Sequence, residues 1–265
     1  MSLRINTNVE AFNAHRNLEG TSNKLAKSME RLSSGFRINR AADDAAGLAI
    51  SEKLRGQIGG LDQARRNVQD GISLVQTAEG SLTEVHSMLQ RVRELAVQHA
   101  NGTLATTDRA AIVSEVTQLT DEIRRIRDTA QFNGIRLLDG TTTRITFQVG
   151  ANDRETIDAT TSDLNTAVPA ITISAATALA DIDRAINSVS DQRASFGAVQ
   201  NRLEHTYNNL SVYQENLSAS ESRIRDVDMA AEMVNFTKNN ILQQAGTSML
   251  AQAQQAPQAV LSLLR

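Results

Sequence analysis

Residues 50–99 read ISEKLRGQIGGLDQARRNVQDGISLVQTAEGSLTEVHSMLQRVRELAVQH. Leu54, Leu61, Val68, Val75, Leu82, Leu89 and Ala96 recur every seven residues in this stretch. A second row, Ile50, Gln57, Ala64, Gly71, Ala78, Val85, Val92 and His99, lies three residues after or four before them. Two apolar rows offset by three and four make the seam of a coiled-coil helix, with Gln57, Gly71 and His99 as its weak members. At 1.5 Å per residue a helix from Asp44 to Ala100 is ~85 Å long, more than a small globular domain needs.

Working outward, Asn101-Gly102-Thr103 breaks this helix, and Thr107 or Asp108 is placed to cap the next. That helix carries Ile112, Val116, Leu119, Ile123, Ile126 and Ala130 at spacings of four and three. Phe132-Asn133-Gly134 and Leu138-Asp139-Gly140 read as turns. Residues 141–175 alone have strand character: Ile145, Phe147 and Val149 alternate with Thr146 and Gln148, and Gly150-Ala151-Asn152-Asp153 turns the chain. A hairpin or a patch of two to three strands is predicted, too small to be a domain. Helical periodicity returns with Ile182, Val189, Phe196, Leu203, Leu210, Leu217 and Ile224, beside a more polar row of Ile186, Arg193, Gln200, Tyr207, Gln214 and Glu221. Two heptad arms joined by a short middle imply an antiparallel arrangement. The fold class is therefore mainly α, a long antiparallel helical coiled-coil bundle with a small β-hairpin region.

Composition supports rods over a globule. The chain has no Trp, six Phe, two Tyr and only two Pro, Pro169 and Pro257. It lacks the aromatics that usually anchor a compact core, and long stretches carry no helix breaker. With 27 basic and 30 acidic residues interspersed, the net charge of −3 gives no reason to expect nucleic acid or an anionic membrane as partner. No run approaches the ~18 apolar residues of a membrane span. Cysteine is absent, so no disulfide framework exists. The start, Met1 to Asn8, has no basic stretch followed by an apolar run and does not read as a cleaved signal peptide.

No chemistry stands out. His15, His86, His99 and His205 make no pair at ligand spacing, and no His-Glu-x-x-His occurs. Asp43-Asp44 fits a helix cap better than an acid pair. Gly56-Gln57-Ile58-Gly59-Gly60 lies inside a heptad helix, where it permits close approach or flexing and is no phosphate loop. No nucleophile–base set supports an enzyme, and no cofactor is implied.

The two ends differ from the arms. Ile5, Val9, Phe12, Leu18, Leu25, Met29 and Leu32 make a thinner amphipathic row, and residues 239–264 contain no charged side chain but many Gln. A neutral, amide-bearing helix suits burial among other chains or the lining of a polar passage; a disordered polar tail is the alternative. Residues 1–33 and 229–265 hold too little apolar surface to fold alone, so both ends are expected to order only on assembly.

Between the first two helices lies Leu32-Ser33-Ser34-Gly35-Phe36-Arg37-Ile38-Asn39-Arg40-Ala41-Ala42-Asp43-Asp44-Ala45-Ala46-Gly47-Leu48-Ala49-Ile50: a helix stop, an extended connector and a capped helix start. This segment resembles the N-terminal signature of bacterial flagellins. So do Ile5-Asn6-Thr7-Asn8, residues 69–80 and residues 90–98, while residues 221–228 and 241–265 resemble the family's C-terminal signature, with Gln254 where Asn is usual. The resemblance covers roughly residues 3–140 and 180–265.

It implies a flagellar filament subunit of the core-only, minimal kind, exported unfolded through the flagellar channel and extracellular without a cleaved signal peptide. It further implies an inner terminal coiled-coil domain of residues 1–33 and 229–265 lining the channel, connectors at 34–43 and 222–228, and a rod-like outer domain of 44–221. Polymerisation is then expected of Ile5, Val9, Phe12, Leu25, Leu32, Met233, Phe236, Ile241, Leu242, Met249, Val260, Leu261 and Leu264. The partners implied are further copies in a helical homopolymer, an export chaperone, and cap and junction proteins. By spacing, Arg91 and Leu95 share a helical face outside the seam, where a solvated role is ordinary. By resemblance, Arg91, Leu95 and Glu115 match positions through which an animal Toll-like flagellin receptor recognises flagellin monomer, on a surface also used between subunits. A hook–filament junction protein has related ends and is the alternative.

Overall fold

The computed structural model describes residues 8–161, 163, 164, 168 and 178–263, without the side chains of 178 and 256–263. Its elements are α1 (Val9–Ser34), α2 (Ala45–His99), α3 (Thr106–Thr129), β1 (Gln131–Phe132), β2 (Ile135–Arg136), β3 (Arg144–Gln148), β4 (Thr156–Thr160), α4 (Ala178–Arg225) and α5 (Met229–Leu263). The predicted mainly helical class with a small β-hairpin is what the chain forms. It divides into two compact units, Gln57–Asn216 and Met1–Gly56 with Leu217–Arg265.

In the first unit both heptad rows of α2 are buried from Leu61 to Ala96, Gly71 included. They face Ile182, Val189, Phe196, Leu203 and Leu210 of α4, all buried, while the polar companion row of α4 stays half-buried. Three cross-helix pairs fix the antiparallel register: Arg93 to Asp183 at 2.7 Å, Glu79 to Arg193 at 3.7 Å, and Arg65 to the Gln214 amide oxygen at 2.8 Å. Arg65 also lies over the Tyr207 ring, 5.1 Å from its centroid, a half-buried cation–π contact that sets a polar layer along an apolar seam.

The third helix closes the far end. Ile112, Val116 and Ile123 of α3 are buried as the spacing predicts, and Ile112 and Val116 join Val92, Leu95, Ala96 and Ile182 in one core cluster. The expected cap is not used. The helix starts at Thr106 after an extended Ala105 that makes no side-chain cap bond. Leu104, packed on the same cluster, fixes where the chain enters and leaves Thr107 and Asp108 inside the first turn. Asp108 still favours the positive end of the helix dipole.

The strands descend along α2. Asn133 and Gly134, with φ of 49° and 79°, form the two-residue turn joining β1 to β2, the left-handed pair that a tight hairpin requires. Antiparallel β3 and β4 pair Phe147 with Ile157 and Ile145 with Ala159, turning these side chains inward. No third strand joins them among the described residues, and most of 165–175 lies outside those. Gly71 seats the hairpin: a Cβ there would stand 3.1 Å from Phe147 and 3.3 Å from Leu203. Gly60 likewise admits the hairpin loop, since a Cβ would meet that of Ala151 at 2.8 Å. The Gly-rich stretch thus serves close approach, of a loop and not of a helix.

In the second unit, α1 stops at Gly35, whose φ of 75° makes the left-handed cap and whose N–H donates to Arg31 O at 2.9 Å. Asp44, not Asp43, caps α2, accepting from Gly47 N–H at 2.8 Å. The heptad row fades here: Ile50 is exposed, contrary to its place in the seam, and Leu54 is only half-buried.

Gly59 has open space where its Cβ would stand, so Gly59→Ala should raise stability by about 0.5–1 kcal/mol through helix propensity. Gly71→Val should lower it by about 1–3 kcal/mol through overpacking against Phe147. Urea unfolding of the two variants checks the pair; equal midpoints would remove the hairpin seat from the account.

Candidate self-association surface

From Val9 to Met29 the side chains of α1 withdrawn from solvent are Ala11, Ala14, Leu18, Thr21, Leu25 and Ser28. On α5 they are Glu232, Phe236, Asn239, Gln243, Gly246, Leu250 and Ala253, with Asn240 beside them. Both sets alternate spacings of three and four, the period of a coiled-coil seam. The pair is antiparallel: Asn8 Nδ2 donates to Ala253 O at 2.7 Å, Leu18 packs at Gly246, and Arg31 reaches Glu232 at 3.6 Å. A Cβ on Gly246 would stand 3.2 Å from Leu18.

The seam mixes small and amide side chains with Leu18, Leu25, Phe236 and Leu250, and the remaining large apolar side chains lie elsewhere. Val9, Phe12, Met29, Met229, Met233, Val234, Ile241, Leu242 and Met249 are all exposed, up to 70 % for Phe12 and 69 % for Val234. Val234 and Ile241, seven apart, lie on the face of α5 opposite its seam. Of the residues expected to polymerise, Leu25, Leu32 and Phe236 are instead half-buried. Ile5 and Leu264, and the side chains of Val260 and Leu261, lie outside the described residues. Sequence reading missed Val234 and Met229; of the seam it marked Leu18, Leu25 and Phe236 but not Leu250 or the small and polar members between them.

The two ends are held at their base by the connectors. Arg37 N–H donates to Arg225 O at 2.7 Å and Val227 N–H to Gly35 O at 3.0 Å. The Arg37 guanidinium donates twice to Ile224 O, at 2.6 and 3.2 Å. Arg225 lies over the Phe36 ring at 4.9 Å and pairs with Glu52 at 2.7 Å. Asp228 starts α5 by accepting from Ala230 and Ala231 N–H. Asp43 ties the first connector together, accepting from Asn39 and Arg40 N–H and pairing with Lys27 at 2.7 Å. Lys27 foremost, then the Arg40 amide, lower its carboxyl from 3.8 to about 2.

The second predicted patch is on α2 and α3. Arg91 and Glu115, 24 positions apart, meet in an exposed ion pair at 2.9 Å, and Arg91 also reaches Glu94 at 3.2 Å. Glu115 first and Glu94 next raise the Arg91 guanidinium further above its usual range. Leu95 is not on this surface, being 2 % exposed within the Val92–Ile112 cluster. Four residues turn a helix through about 400°, and that 40° excess carries Leu95 into a buried face widened by the third helix.

No group of three or more His, Cys, Asp or Glu that could hold a metal ion exists among the described residues. Nor is any helix among them long and apolar enough to cross a membrane. Residues 5–143 match the bacterial flagellin N-terminal helical region and residues 179–264 the bacterial flagellin C-terminal helical region. The chain belongs to the bacterial flagellin family. It is 59 % identical to the flagellin of Halalkalibacterium halodurans, with 98 % of this chain and 99 % of that one covered. To the Bacillus subtilis flagellin it is 51 % identical, over 99 % and 100 %. To the flagellar filament 33 kDa core protein of Treponema phagedenis it is 49 % identical, over 98 % and 99 %. The crystal structure of Bacillus cereus flagellin superposes with a TM-score of 0.51 at 35 % identity, covering 55 % of this chain and 88 % of that one.

Flagellin is a structural family, not an enzyme family, and this flagellin is a self-polymerising filament subunit. Nothing favours the junction alternative.

The depressed Asp43 carboxyl gives the flagellin connector a pH dependence of definite sign. Because the folded value lies below the unfolded one, its stabilisation is full above pH 3.8 and fades as pH falls through about 2. The urea midpoint of wild type should therefore fall toward that of Asp43→Asn between those limits. Curves that stay parallel would exclude the Lys27–Asp43 pair as the cause.

Proposed function

We propose that the outward apolar face of the terminal pair is the surface buried between copies when the filament forms. The observation that carries this is the direction of the side chains: with its own seam closed by Leu18, Leu25, Phe236 and Leu250 among small and polar residues, the pair still presents Val9, Phe12, Val234, Ile241, Leu242 and Met249 to solvent. Burying an aliphatic or aromatic side chain is worth about 1.5–3 kcal/mol. Six of them reach the ~4–15 kcal/mol that association costs in lost freedom. In this reading residues 1–33 and 229–265 form the inner layer around a channel, 34–43 and 222–228 connect, and 44–221 form the outer rod. The subunit travels unfolded through that channel with an export chaperone, meets cap and junction proteins at its destination, and works outside the cell as a propeller for swimming.

Val234→Asp combined with Ile241→Asp should cut seeded filament elongation by at least about a hundredfold, while urea unfolding of the Gln57–Asn216 unit is unchanged. Filaments growing at the normal rate would defeat the reading.

The exposed Arg91–Glu115 pair supports a second role, with subunit contact and an animal Toll-like flagellin receptor competing for it and Leu95 bracing it from below. Free subunits, not filaments, then activate the receptor. Arg91→Ala should lower activation by free subunits about tenfold with little change in stability, because the ion pair is exposed. Unchanged activation would refute this role.

A further inference from the structure

Met29, Met229, Met233 and Met249 are 55 %, 49 %, 50 % and 61 % exposed. All four lie on the terminal pair, whereas Met88 of α2 is half-buried. Met29 directly follows the seam residue Ser28, and Met233 directly follows the seam residue Glu232, which faces Arg31. In an antiparallel pair, residues one past the seam on each helix flank the same side, and Met229 stands one turn from Met233. Met249 lies farther along α5 and directly precedes the seam residue Leu250, so it flanks the opposite side of the seam. The chain has no Cys and no Trp, so no thiol or indole competes for an oxidant. Among the described residues, the exposed methionine sulfurs all lie on the terminal pair.

We propose that these four methionines form an oxidation site that governs subunit addition: hydroperoxide converts the thioethers to sulfoxides and blocks assembly, and reduction restores it. A thioether sulfur lone pair attacks one oxygen of hydrogen peroxide. The S–O bond forms as the O–O bond breaks, and the departing hydroxide takes the proton from the new S–OH group to leave as water. Sulfur loses two electrons and the peroxide gains them. The sulfoxide is polar and chiral where the thioether was flexible and apolar. Buried between copies, its oxygen becomes an acceptor that must find a donor or remain unsatisfied. Subunits are vulnerable before addition, and the filament shields the same sulfurs. The site rests on the reading that this face is buried on assembly.

The test uses the full chain. Subunits are treated with hydrogen peroxide, each methionine is assayed for an added oxygen by peptide mass spectrometry, and seeded elongation is followed by light scattering. The four terminal methionines should oxidise before Met88, elongation should fall about tenfold or more, and methionine sulfoxide reductase should restore it. A chain carrying Met29→Leu, Met229→Leu, Met233→Leu and Met249→Leu should elongate equally well with and without peroxide. The proposal is overturned if fully oxidised subunits elongate at the untreated rate, if reductase gives no recovery, or if the Leu chain is as sensitive as wild type. The reductase arm needs no substitution and stands even if the Leu chain folds poorly. Failure of the underlying surface reading shows separately, as normal elongation of the Val234→Asp, Ile241→Asp chain.

Discussion

Close approach of α1 and α5 limits what else the terminal pair can do. Ala11, Ala14, Thr21 and Ser28 on one helix meet Asn239, Gln243, Gly246 and Ala253 on the other, and Gly246 leaves only the space that Leu18 occupies. Small residues bring two backbones together at little steric cost but bury little apolar area per turn. Leu18, Leu25, Phe236 and Leu250 supply the larger apolar contacts between them. The other large side chains, turned away from the seam, form a second face that water covers only until another copy does. Subunit stability and polymer stability are thereby assigned to different sides of the same helices.

The Gln57–Asn216 unit follows the opposite rule. Its seam is filled by Leu, Val, Ile and Phe196, all deeply buried, with polar contact confined to the Arg65–Tyr207–Gln214 layer and to ion pairs at the rim. A half-buried polar layer is costly to mispair, so it suits a register mark in a long antiparallel pair whose heptads alone would tolerate a slip. The hairpin seated at Gly71 adds a second mark, because a seven-residue slip in either direction would place Ala64 or Ala78 under Phe147.

Regular periodicity made the rod legible in advance. Leu61 to Ala96, Ile112 to Ala130 and Ile182 to Leu210 were readable because large aliphatics repeat at the helical period, and Ile145, Phe147 and Val149 because alternation marks a half-buried strand. The terminal seam was not readable the same way. Most of its members are small or polar, so only Leu18, Leu25 and Phe236 mark it, beside Val9, Phe12 and Met29, which point outward. Leu95 lies outside the seven-residue seam of α2 yet is buried, because α3 packs Ile112 and Val116 beside it and widens the buried face. Helix starts were the least legible feature. Asp44 capped as a side-chain acceptor should, but Ala105 shows that an anchored neighbour such as Leu104 can set a helix start without a cap.

The central claim is that assembly covers the outward face of the terminal pair. Because the chain has no cysteine, a single Val234→Cys substitution gives a clean probe of that face. The thiol should react readily with a water-soluble maleimide in free subunits and become at least about a hundredfold slower in assembled filaments, where the thiolate is excluded from solvent. Equal labelling in the two states would mean that this face remains open in the filament, and would contradict the account.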